Sequence, residues 1–181
     1  SRQIYGVEVP RRADVAIVSA YPMERDLRQA GKSILNVAGA CREQGVIISF
    51  MACPQGLGGV SLPRFPIPLD LAKRLVTLLR PPVIARLATH IPGPAPEDRF
   101  MINLGLRLLR DFNVLIFSPS LRAACQGRFP GIVFGDQRQL FRRAQQLAGT
   151  RRPETAIFHR GGISFPVLGR SEDKGGHIHG H

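Results

Sequence analysis

Gln29 and Lys32 lie three positions apart in Leu27-Arg28-Gln29-Ala30-Gly31-Lys32, and on a helix that spacing places an amide and an ammonium on one face. In the first turns of a helix that face also has free backbone N–H groups and the positive end of the dipole, so a carboxylate or phosphate is the ligand it favours. The competing interpretation is a solvated polar flank of an amphipathic helix. A glycine-rich stretch, Gly56-Leu57-Gly58-Gly59, could wrap a phosphate with its backbone N–H groups, although a tight turn is the plainer reason for such glycines. It is not a dinucleotide fingerprint, because the first strand-to-helix turn contains no glycine. His177, His179 and His181 alternate near the end of the chain. Imidazoles so spaced can chelate a transition metal, but without a packed outer shell any binding would be loose and adventitious. His90 and His159 stand alone, with no neighbouring nucleophile or carboxylate cluster.

The elements that must position these groups follow from periodicity. Val15 to Ser19 is a short apolar run of the kind buried on both faces of a parallel sheet. The helix that follows turns Leu27, Ala30, Ile34, Val37 or Ala38, and Cys41 inward, with Gly45 as its expected C-terminal cap. Val46 to Met51 reads as a second buried strand, parallel to the first by the crossover rule. Prolines at 63, 66 and 68 mark an irregular stretch, Asp70 to Arg80 a helix, and Pro81-Pro82 its terminator. A further helix is expected from about Asp98 to Arg110 and a strand at Val114–Ser118. A short strand at Gly131–Phe134 and a helix over Gln137–Leu147 follow. Thr155–His159 and Ser164–Leu168 read as a strand and a Pro166-interrupted edge strand, joined by a tight turn at Gly161-Gly162.

The fold class expected is α/β, a mainly parallel, Rossmann-like open sheet with flanking helices and short C-terminal edge strands. In such sheets ligands sit outside the carboxyl ends of the strands, where Ser19–Pro22 and Gln29/Lys32 would lie. The expected organisation is a lead-in over 1–12, an α/β domain over 13–150, a terminal strand segment over 151–169 that packs here or on a separate domain, and a disordered tail over 170–181.

With 181 residues and 44% hydrophobic content, one domain with appendages is the natural size. No apolar run reaches the roughly 18–20 residues of a membrane span, and the opening residues lack a signal-peptide core. The sequence therefore reads as a cytoplasmic protein without a membrane partner. Cys41, Cys53 and Cys125 are widely spaced and read as buried free thiols. The formal charge of +12 raises the question of nucleic acid. Arginines scattered singly or in pairs, without interleaved aromatics, argue against such a partner.

The ordered combination of Ala13–Ala20 with Tyr21-Pro22, then Gln29-Ala30-Gly31-Lys32, then Gly45–Ile48 with Cys53–Gly58 resembles the C-terminal domain of the nickel-pincer-nucleotide-dependent lactate racemase family. Glu97-Asp98-Arg99-Phe100 is similar to an Asp-Gln-Trp segment of some homologues, and Gly161–Val167 to the terminal strand segment. The resemblance implies a two-domain enzyme that racemises or epimerises a small 2-hydroxy acid by reversible hydride transfer. It implies that the nickel-pincer nucleotide is held by an N-terminal catalytic domain, which this chain lacks and would have as its partner. Gln29 and Lys32 match the family's Gln-x-x-Lys pattern, which implies that Lys32 pairs with the substrate carboxylate and Gln29 helps position the substrate. Arg28, where an aromatic residue is frequent, and Phe100, in place of the tryptophan, are weaker substrate-binding candidates. On this reading the fragment has no catalytic residue of its own and is inactive alone. The alternative is a non-catalytic α/β module that binds a small anion.

Overall fold

The computed structural model describes residues 5–60, 69–90, 96–124 and 132–169. Its centre is a five-stranded, all-parallel sheet of β2 (Ala13–Ser19), β3 (Cys41–Phe50), β4 (Asn113–Phe117), β5 (Val133–Phe134) and β6 (Thr155–Phe158), in the order β5-β4-β3-β2-β6. A separate two-stranded parallel sheet joins β1 (Gly6–Val9) to β7 (Phe165–Leu168). The helices are α1 (Leu27–Val37), α2 (Leu69–Leu78), α3 (Pro81–His90), α4 (Pro96–Asp111), α5 (Pro119–Ala124) and α6 (Gln137–Ala148). The α/β, mainly parallel architecture is the one the sequence predicts.

Both faces of the sheet are covered. Ala30, Ile34 and Val37 of α1 pack with Ala16, Val18, Ile47 and Ile116 on one side, joined by Leu108 and Leu109 of α4. On the other side Leu140, Ala144 and Ala148 of α6 meet Val15, Val46, Ile48 and Leu115. This is why the strands read as nearly unbroken apolar runs rather than alternating ones. Cys41 and Cys53 are buried free thiols, and burial pushes the Cys41 thiol up to about 11, which keeps it in the unreactive thiol form. Cys125 lies outside the described residues, as do the 170–181 tail and its three histidines.

Several expectations change. The first helix ends at Val37, and Ala38–Ala40 tightens into a single 3-10 turn. Cys41 therefore opens β3 and Gly45 sits inside it rather than capping a helix. Gly45 is required by close approach: a Cβ there would stand 2.6 Å from Cys41 Sγ and 2.9 Å from the Asp14 carbonyl oxygen. Pro81-Pro82 starts α3 instead of only stopping α2, since a proline at the first helical position loses no bond the helix would make. Gly6–Val9, inside the expected lead-in, is a strand. Its partner is β7, with Gly6 opposite Phe165 and Val9 opposite Leu168, so the last strand does not turn back on β6 in a hairpin.

Candidate functional site

Following β2 the chain runs through Ala20–Asp26, with a cis Tyr21–Pro22 peptide, and enters α1. Asp26 is the N-cap, its carboxylate accepting from Gln29 N at 2.9 Å, the role short acidic side chains fill at helix starts. Leu27 N donates to Gly56 O at 3.0 Å. The anion-attracting helix start expected from sequence is thus partly occupied from within: one amide faces a carboxylate and another a carbonyl. What remains for a ligand is carried by side chains.

Gln29 and Lys32 are brought together. Lys32 Nζ donates to Gln29 Oε1 at 2.8 Å, on the exposed face of α1. The rotation of α1 that exposes them is set by three features. Ala30, Ile34 and Val37 face the core. Ser33 Oγ donates to Ala30 O at 2.7 Å and stands 3.2 Å from Ser49 Oγ of β3, a buried polar link. Asn36 Nδ2 donates to Gly161 O at 2.8 Å. Gln29, Lys32 and Asn36 therefore form one polar stripe along the helix, with the stripe's lower end tied to the loop after β6.

That loop closes the crevice in which the fold would seat a ligand. Strand order reverses between β2 and β6, the switch point of the sheet. Gly161 N donates to Ser19 O at 2.9 Å and Gly162 N to Tyr21 O at 3.3 Å. A Cβ on Gly161 would lie 1.9 Å from Val18 Cγ2, and one on Gly162 2.6 Å from Ala20 O. The glycine pair, in the tight turn expected from sequence, is also a close-packed plug across the end of β2. With the crevice filled, the polar groups left facing outward at this edge are those of α1.

The Gly56–Gly59 loop serves the same loop cluster. Cys53 N donates to Glu24 O, Gln55 N to Arg25 O, and Arg25 Nε to Gln55 Oε1 at 2.7 Å. Gly58, at φ +62°, sits against Asp26, where a Cβ would come within 2.5 Å of the carboxylate carbon. These glycines hold the N-cap in place.

Arg28 is placed beside α4: its Nη2 donates to Asp98 Oδ1 at 2.9 Å, with the Asp98 side chain 5% exposed. Asp98, placed from sequence at a helix start and in the segment similar to Asp-Gln-Trp, is the anchor of that contact. Phe100 lies two positions further along α4, 67% exposed, on the side away from Arg28. Asp98, Asn36 and Gly161-Gly162 are the residues sequence reasoning missed as parts of the site. The polar residue four places beyond Lys32 was the available signal for Asn36. Among the described residues no group of three or more His, Cys, Asp and Glu side chains is placed to hold a metal ion. No helix there is long and apolar enough to cross a membrane.

The family described as the lactate racemase C-terminal domain matches residues 9–124, more than half of the chain and the whole of the β2–α1–β3 unit just described. This chain belongs to that family. The lactate racemase apoprotein of Thermoanaerobacterium thermosaccharolyticum has a similar structure, with a TM-score of 0.62 and 17% identity over 91% of this chain. The match spans 38% of that protein's length. No curated protein matches the chain. At such identity the structural likeness speaks for the fold, and the family match for the domain type.

Proposed function

We propose that this lactate racemase C-terminal domain is the substrate-clamping part of a racemase or epimerase of small 2-hydroxy acids. The observation that carries the reading is the 2.8 Å hydrogen bond from Lys32 Nζ to Gln29 Oε1, inside the family match and on an exposed face beside the carboxyl edge of the sheet. Lys32 pairs with the substrate carboxylate. With its oxygen held by Lys32, Gln29 presents its NH2 group, a donor suited to a carboxylate or hydroxyl oxygen. The redox part of the reaction, which the family assigns to a nickel-pincer nucleotide, belongs in this proposal to an N-terminal partner domain. This chain contributes recognition, orientation and exclusion of water.

The test is Lys32→Ala in the full-length enzyme loaded with cofactor. A charge-assisted contact in a closed site is worth about 2–5 kcal/mol, so kcat/KM should fall roughly 30- to 5,000-fold, with the unfolding midpoint unchanged because Lys32 is exposed. Full activity in that variant would overturn the assignment. A free-standing anion-binding module has less support, since the helix start that would serve it is capped by Asp26.

A further inference from the structure

Between α1 and α4 lies an apolar cavity of about 200 Å³, walled by Leu27, Gly31 and Ile34 on one side and Gly105 and Leu108 on the other, with Ile116 of β4 beneath. A Cβ built on Gly31 or on Gly105 meets nothing within 4 Å, so the space is real room on both helices. An apolar space of about 150 Å³ already has room for a benzene-sized group. Among the described residues Arg28 is the single charged residue on the lining. Its Nη2 is held by Asp98, while its Nε is buried and makes no hydrogen bond. Arg28 and Lys32 are one turn apart on α1 and therefore neighbours. The carboxylate anchor of the clamp thus borders an apolar hole, with an unused N–H between them.

We propose that this cavity receives the substrate's side chain, so that the ligand is a 2-hydroxy acid with an aliphatic tail of several carbons. The proposal rests on Lys32 being the carboxylate anchor. The carboxylate lies at Lys32 within reach of Arg28 Nε, and the tail passes the aliphatic stem of Arg28 into the space between Gly31 and Gly105.

The experiment is an NMR titration of the chain with lactate, 2-hydroxybutanoate and 2-hydroxyhexanoate, repeated on Gly105→Leu, Gly31→Leu and Lys32→Ala. Each methylene that leaves water for the cavity tightens binding about fourfold, so the six-carbon acid should bind on the order of fiftyfold better than lactate. Gly105→Leu fills the cavity from α4 and Gly31→Leu from α1. Both replace a helix-interior glycine by a better helix former, and each should flatten the series. A flat series in the unsubstituted chain overturns the cavity assignment and leaves the clamp reading standing. A steep series that survives both leucine variants also overturns it, by placing the tail elsewhere. A steep series that the leucines flatten but Lys32→Ala leaves at full affinity supports the cavity and removes Lys32 as the anchor.

Discussion

At the carboxyl edge of the five-stranded sheet the loops are held mostly by backbone: Gly161 and Gly162 donate to Ser19 and Tyr21 carbonyls, and Leu27, Cys53 and Gln55 make further main-chain bonds between the two βα loops, beside the side-chain bonds of Arg25 and Asn36. At the amino edge the same strands are held by side chains. Asp14 accepts from Arg42 Nε at 2.5 Å and from Glu154 N at 2.9 Å, Arg11 pairs with Glu154 at 2.7 Å, and Gln44 Nε2 donates to Arg110 O at 2.7 Å. The carboxyl edge obtains its shape with few charges committed, and among the described residues Lys32 is held by no ion pair. Its shape is correspondingly intolerant of added atoms. The amino edge, close-packed at Gly45, depends in addition on charge state.

The comparison breaks most visibly at Gly161. Replacing it with valine puts side-chain atoms where Val18 and Ser19 already are. With Val18 fully buried there is nowhere for them to go, so overpacking should cost about 3 kcal/mol, read as a drop in the urea midpoint. A neutral Gly161→Val would mean that the plug is loose. A smaller effect is expected at the N-cap: Asp26→Ala removes the bond to Gln29 N and should cost about 1 kcal/mol, with helix content near the site reported by amide exchange of α1. Preserved protection of the Gln29 amide would show that another group caps the helix.

The amino edge sharpens the contrast through pH. The Glu154 backbone N–H, and then Arg42, hold the Asp14 carboxyl below its ordinary value of 3.8. A depressed carboxyl pKa stabilises the fold above the unfolded value, and that contribution disappears as pH falls through the folded one. Asp14→Asn should therefore be less stable than the parent at pH 7, and the two should converge in acid as pH falls below the lowered folded-state value. Denaturant melts at both pH values check this. A gap that persists undiminished in strong acid would place the effect in packing instead. The corresponding pH series on Gly161→Val should show no such convergence, because no titrating group is involved.

Much of this was readable in the sequence where local pattern and global burial agree. Val15–Val18 and Val46–Ile48 are apolar throughout because helices cover both faces, and Gln29 and Lys32 meet as helical spacing requires. What stayed hidden depends on partners distant in sequence. Gly6–Val9 becomes a strand only by pairing with Phe165–Leu168, a strand legible in the sequence whose partner was not. Gly161-Gly162 looks like any turn until Val18 and the Ser19 carbonyl are seen against it. The cavity is the space left by the angle between α1 and α4, for which no residue pattern codes. Arg28, in sequence only a weaker substrate-binding candidate, has its partner Asp98 seventy positions away.

The β1–β7 pairing has a mechanical consequence. The strands run parallel, with Gly6 facing Phe165 and Val9 facing Leu168, so tension applied before Gly6 and after Leu168 slides one strand along the other. All bonds of the ladder then bear load together, in shear, where an antiparallel hairpin would give way one rung at a time. Any force applied across these two ends meets a clasp before it reaches β2 and α1.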